Sequence, residues 1–149
     1  MNLEQIFSAM SFLAMAGWLC LVLAPLRRPI LIAAARVIAA VLALAYVILI
    51  AKGMTAPGGP SGGGFDSLAG VMILLSTPAV MLPAWIHYLC FDLWVGTWAA
   101  EDAPKSGVPH WLMVPVFGLT FMFGPAGLLA YLVIRLVIRL AMRRLKPAS

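Results

Sequence analysis

Charge is what this sequence lacks most. Only 10% of its 149 residues are Asp, Glu, Lys or Arg, and just five are acidic. Soluble domains carry about 25% charged residues, so a water-facing globular surface cannot be assembled from this composition. Cysteine is equally sparse. Cys20 and Cys90 stand alone inside apolar runs. That removes metal-type cysteine spacing and argues against a disulfide; both read as small packing residues. The glycine-rich stretch 58–64 is not followed by Gly-Lys-Ser/Thr, so it is not a phosphate loop but a flexible connection. No Ser-His-Asp or Cys-His hydrolase pattern is visible. The N-terminus offers Glu4 and no Lys or Arg before an apolar run from Ile6 to Leu26. That run is too long for a signal-peptide core.

Apolar residues fill the space that charge leaves. They make up 64% of the chain, which identifies an integral membrane protein. The net charge of +5 comes from basic residues at the ends of apolar segments and in the tail. Their expected partner is the membrane lipid bilayer, through its anionic headgroups, and not nucleic acid. The fold expected is all-α: one domain, 1–149, built as a bundle of four transmembrane helices. The expected home is a bacterial cytoplasmic (inner) membrane.

The spans read as about 3–23, 30–51, 78–100 and 110–134. In the first, Glu4, Ser8, Ser11, Met15 and Trp18 recur at helical spacing and suggest a packing face. Pro29 suits the first turn of the second span, as Pro78 after Thr77 does for the third. Residues 65–76 are apolar but too short to cross, and read as an interfacial or re-entrant helix. Glu101 to Gly107 reads as a polar connection. Pro125, inside the fourth span, leaves the Phe121 carbonyl without its usual donor, so a kink with a local polar acceptor is expected there. Beyond it, Arg135, Arg139 and Arg143 fall at i, i+4 and i+8, with Lys146 continuing a basic interfacial extension, 135–146. Four spans would put both termini on one side. The tail argues that this side is cytoplasmic; the Arg27-Arg28 pair argues the reverse.

The chain is organised around Trp85 to Trp94, where a histidine and a carboxylate fall inside the third span. An Asp near the bilayer centre costs about 2.5–3.5 kcal/mol on insertion scales and is a functional candidate by default. By depth, Asp92 lies about 12 Å and His87 about 20 Å from the side carrying Arg27 and Glu101. Arg36 falls at about 10 Å and Thr120 at about 15 Å from that side. These four are expected to line one pocket, with His110, Glu101 and Asp102 at its mouth. His87 and Asp92 point about 140° apart around the helix, so each needs partners on other helices. Arg36 is the best depth match for Asp92, although a long arginine stem can also snorkel to the headgroups. Low dielectric favours the neutral acid, a proton donor, whereas an arginine partner favours the carboxylate; the sequence leaves both open. The two histidines differ in depth by about 20 Å, so they do not suggest a shared metal, and no cofactor is called for. A lone buried histidine and an axial haem ligand at His87 remain alternative readings.

Several of these residues form a familiar pattern. Phe65, Ser67-Leu68, Gly70-Val71 and Leu75 precede Pro78. Then come Ala84-Trp85-Ile86-His87-Tyr88-Leu89, Phe91-Asp92-Leu93 and Gly96. His110 and Leu119-Thr120-Phe121-Met122-Phe123-Gly124-Pro125-Ala126-Gly127 complete it. From about Phe65 to Tyr131 this resembles the neoxanthin-synthase-like family, also called abscisic-acid-deficient-four-like. The resemblance implies a small protein of about four transmembrane helices. Plant members are required to make neoxanthin from violaxanthin, an epoxide opening that forms an allene without redox change. His87, Asp92 and His110 match polar positions of that pattern, and Pro125 and Gly127 match its helix break. Thr97 departs from the Gly-Arg-Trp found in many bacterial relatives.

The function expected is therefore binding of a carotenoid-like or other isoprenoid lipid, with non-redox isomerisation by acid/base chemistry. His87 and Asp92 are the candidate catalytic residues, with Arg36 as their electrostatic partner. Trp85, Tyr88, Phe91, Trp94, His110, Thr120, Phe121 and Pro125 are the further candidate binding residues. A non-catalytic accessory subunit, in a homo-oligomer or a larger membrane complex, is the alternative. A haem-binding protein is the third reading.

Overall fold

A computed structural model describes residues 2–55 and 62–145, and every structural statement concerns these residues. Residues 58–61 of the glycine-rich stretch and Lys146 of the basic extension lie outside them. The described chain is all-helical. Six helices occur in the order α1 (Leu3–Val22), α2 (Arg28–Thr55), α3 (Leu68–Leu75), α4 (Pro78–Lys105), α5 (His110–Phe123) and α6 (Pro125–Leu145). Four of them, α1, α2, α4 and α6, are long and apolar enough to cross a membrane.

Local chemistry sets the starts. Asn2 and Gln5 form a reciprocal capping box on α1, each side chain meeting the other's backbone N–H at 2.8 and 3.1 Å. Two N–H groups with no helical partner are thereby satisfied. Ser67 accepts from the Gly70 N–H at 3.0 Å and opens α3. Pro78 opens α4 after Thr77, as the sequence predicts. The polar residues Glu101 and Asp102, expected in a connection, belong instead to the last turns of α4.

α4 is the central element. It buries residues around much of its circumference, from Val80 and Ile86 through Leu93 to Ala100 and Ala103. α1 meets it with Ala14, Gly17, Trp18 and Leu21, an i, i+3, i+4, i+7 stripe. Of the face expected to pack, Glu4, Ser8 and Met15 are exposed instead, while Ser11 is half-buried and accepts from Trp85 of α4. Trp18, shared by both faces, does pack. Close approach explains the choice: a Cβ at Gly96 would fall 2.7 Å from the Trp18 ring, and one at Gly17 2.5 Å from Leu93. α2 presents Ile32, Ala35, Ala39 and Leu42 to the core. Small residues at such faces let helix backbones close in lipid, where packing and not hydrophobicity drives association.

The expected fourth span is not one kinked helix. It breaks at Gly124 and doubles back. Tyr131 reaches Asp102, Arg135 and Arg139 reach Ser106, and Met142 lies against Gly107. Gly124, at the turn, sits against Asp92. α5 therefore runs antiparallel to α4 as far as Asp92, and α6 returns beside α4 towards its C-terminal end. At the other end of the bundle, Phe7 of α1 stacks near Trp85, and Leu3 lies by Pro78. The first and last described helical turns thus lie at opposite ends, where a straight fourth span would have put them at the same end.

Candidate functional site

The hairpin tip is the product of three residues. Pro125 has no N–H, so it cannot continue the α5 ladder. Gly124 turns the chain with φ 30° and ψ −89°, its N–H bonded to the Thr120 carbonyl at 2.8 Å. Gly127 then lies directly on Thr120, where a side chain would collide. Thr120 is buried and donates its hydroxyl to the Val116 carbonyl at 2.8 Å. The Phe121 carbonyl, stripped of a helical donor by Pro125, accepts from the Tyr88 hydroxyl at 3.2 Å. That is the local polar contact the sequence leads one to expect.

Asp92 completes this cluster. One carboxylate oxygen lies 2.6 Å from where a Gly124 Cβ would stand, so glycine is required for space as well as for φ. The other oxygen, Oδ2, is buried and has no hydrogen-bond partner among the described residues. Tyr88, one helical turn earlier, also interacts with this carboxyl group. Its single phenolic hydrogen has two acceptors to choose between.

The expected Asp92–Arg36 pair does not form. Arg36 bonds Glu101 at 2.5 Å, with the two side chains 40% and 38% exposed. Depth matched Arg36 to Asp92, but α4 turns Asp92 towards the hairpin while α2 packs on another side. Glu101 faces α2 and takes the guanidinium.

His87 is also apart from Asp92. It lies on an exposed face of α4 between Tyr46 at 5.4 Å and Phe91 at 4.5 Å, measured between ring centroids. It lines a cavity of about 410 Å³ between α2, α3 and α4, walled by Tyr46, Ile50, Leu74, Val80 and Ala84. Its imidazole and the Tyr46 phenol are the polar side chains on that otherwise apolar wall. The single pocket expected to hold His87, Asp92, Arg36 and Thr120 is thus replaced by separate places. Thr120 alone stays near Asp92, at the hairpin tip.

The remaining candidates divide in the same way. Trp85 donates to Ser11 at 3.3 Å and stacks on Tyr88. Phe121 packs edge-on against Trp18. Pro125 sits at the tip, and Phe91 and Trp94 are exposed. His110 bonds the Val22 carbonyl through Nε2 at 2.9 Å, while its Nδ1 is buried without a partner among the described residues.

Sequence reasoning missed one polar cluster. At the hairpin base, Asp102 accepts from the buried Tyr131 hydroxyl, from Ser106 at 2.9 Å and from Arg135 at 2.6 and 3.1 Å. Arg139 adds a bond to Ser106 at 3.1 Å. Two arginines of the supposed headgroup stripe therefore turn onto α4. The signal was present: Tyr131, Arg135 and Arg139 repeat every four residues along one face of α6.

A family model described as ABA4-like (ABA DEFICIENT 4-like) matches residues 5–131. The chain belongs to the ABA4-like family. The match begins in α1 and so reaches well upstream of the motif-bearing segment that starts at Phe65. It takes in α4, the His87 cavity and the Gly124-Pro125 turn, and it ends at Tyr131. No curated protein and no solved structure matches the chain.

Proposed function

We propose that the protein binds an isoprenoid lipid of carotenoid type in the cavity between α2, α3 and α4, and isomerises it without redox change. The observation that carries this reading is His87, an imidazole facing a largely apolar cavity of about 410 Å³. A lipid chain supplies the apolar partner such a wall calls for, entering sideways from the bilayer by one end. The imidazole takes a proton from a carbon of the bound chain as the C–O bond of a neighbouring epoxide opens, and returns it to the freed oxygen as a hydroxyl. Composition and oxidation level are then unchanged, and one base serves both half-steps. Tyr46 and Phe91 hold the ring on its two sides. Asp92 faces the hairpin and not this cavity, so its part is to position α5 and α6.

The test is lipid and pigment analysis in a host strain lacking the gene, complemented with the wild type or with His87→Ala. Loss of the product with His87→Ala, and retention with Asp92→Asn, is expected. A wild-type profile from His87→Ala sinks the assignment. Mass spectrometry of lipids that co-purify in gentle detergent supplies the identity of the ligand.

The accessory-subunit reading expects a lipid-facing patch of small residues. Gly17, Gly96, Gly124 and Gly127 are all used within the chain, whereas Gly118 faces open space and Ala16, Ala33 and Ala40 are exposed; co-purification of a partner with no bound lipid would favour that reading.

The protein resides in a bacterial inner membrane with the C-terminal ends of α4 and α6 on the cytoplasmic side. Arg27, Arg28, Lys105, Arg139, Arg143 and Arg144 gather at that end, because the hairpin brings α6 back to it. The positive-inside rule supports this placement, with the N-terminus outside and the C-terminus inside in place of two cytoplasmic termini. Single cysteines at Glu4 and Arg144, in a Cys20→Ala, Cys90→Ala background, should be labelled from opposite sides by an impermeant maleimide.

A further inference from the structure

At the basic end of the bundle, a second cavity opens between the start of α2 and the end of α4. It measures about 470 Å³ and is lined by Arg28, Arg36, Glu101 and Lys105, with Ile32 and Pro104 as apolar walls. Its formal charge is three cations against one carboxylate. Glu101 is already engaged by Arg36. Arg28 uses one Nη2–H on the Ala100 carbonyl at 2.5 Å, which fixes the guanidinium at the rim and leaves other donors free. The Nε–H of Arg36 is buried and has no acceptor among the described residues. That nitrogen is closed to a ligand, but the side chain as a whole is 40% exposed, and the guanidinium has N–H donors beyond the one on Glu101 to offer an acceptor. The start of α2, at Arg28, adds the positive end of a helix macrodipole to the same rim, which favours an anion.

The geometry points to a binding site for the phosphate of an anionic phospholipid headgroup. Arg28, Arg36 and Lys105 engage the phosphate oxygens, Glu101 accepts from a headgroup hydroxyl, and the acyl chains run down past Ile32. The apolar walls and the place of the cavity at the end of two spanning helices favour a lipid over a soluble phosphate. This site is separate from the His87 cavity and does not depend on the chemistry proposed there.

The experiment uses the full chain purified in a neutral detergent. Phosphatidylglycerol and phosphatidylcholine of matched acyl chains are titrated, with inorganic phosphate and glycerol phosphate in parallel. Binding is read by native mass spectrometry and by the shift in thermal unfolding. Phosphatidylglycerol should be retained and should raise the unfolding temperature; phosphatidylcholine should do neither. Arg28→Gln and Lys105→Gln should each weaken retention about fivefold, as one basic group near a lipid phosphate is worth. Lys105 is exposed, so its substitution leaves the fold intact even if loss of the Arg28 bond to Ala100 does not. Arg143→Gln, on the exposed end of α6, should have little effect. Equal retention of both lipids overturns the proposal. So does an equal loss with Arg143→Gln, which would mean general surface attraction. Stabilisation by inorganic phosphate alone, matching that by the lipid, overturns it in favour of a soluble anion.

Discussion

Asp92 and Asp102 lie on the same helix and both face the α5–α6 hairpin, yet they are treated in opposite ways. Asp102, at the base, is wrapped by Tyr131, Ser106 and Arg135. Asp92, at the tip, keeps a buried oxygen with no partner among the described residues. A satisfied polar network can hold two helices together; a half-satisfied group contributes little and constrains what stands next to it. The hairpin is thus held at its base by a charged network and at its tip by the single Tyr88–Phe121 bond. The contrast originates in the chain turn. Residues 124–127 are two glycines, a proline and an alanine, with no side chain able to reach a carboxylate.

The largest effect should come from the anchor. Asp102→Ala removes the acceptor of the Tyr131 hydroxyl and strands the Arg135 guanidinium. Removing one partner of a buried pair costs about 3–5 kcal/mol. The low end, about 3 kcal/mol, applies here because the Arg135 side chain keeps 27% exposure. Denaturant or thermal unfolding in detergent measures it. A change under about 1 kcal/mol would mean that the network does not hold the hairpin.

Next is the turn itself. Gly124→Ala places a Cβ 2.6 Å from Asp92 Oδ1 at a residue with φ 30°. Strained backbone of this kind costs about 1–3 kcal/mol, and the steric part is added to it. Pairing it with Asp92→Ala should recover the steric part, about 1 kcal/mol, and leave the backbone part. Full additivity of the two substitutions would show that Asp92 and Gly124 are not in contact.

Tyr88→Phe comes third. It removes the 3.2 Å bond to Phe121 and leaves that carbonyl bare, for a loss of about 1 kcal/mol. Hydrogen exchange at the first turn of α6 should rise in step. No change in exchange would move the phenolic hydrogen to Asp92.

Helix positions were legible in the sequence because hydropathy and Thr77-Pro78 act locally. The break at Pro125 was legible for the same reason: a missing N–H is a property of one residue. The course of the chain beyond that break was not legible. A kinked crossing and a doubled-back hairpin share one hydropathy profile. Only Gly124 beside Asp92, and the Tyr131–Arg135–Arg139 face matched to Asp102, distinguish them. The expectations for Arg36 and His87 failed for one shared reason. Depth along a helix can be counted from the sequence, but rotation about its axis is set by packing. Gly17 and Gly96 fix that rotation by admitting Leu93 and Trp18.

The smallest effect is the most telling about the tip. Asp92→Asn keeps the shape of the side chain and exchanges an oxygen that bonds nothing for an amide group. An amide can donate to a neighbouring carbonyl where the carboxylate could not, so nothing is lost at Oδ2 and a weak bond can be gained. The stability change should stay within about 1 kcal/mol, against a clearly larger loss for Asp102→Asn, whose two oxygens are both engaged. The two variants, measured side by side in one detergent, form a controlled pair: same helix, same chemical change, same hairpin. Equal losses would mean that Asp92 has a partner as strong as Arg135, and that the tip is held by more than the Tyr88–Phe121 bond.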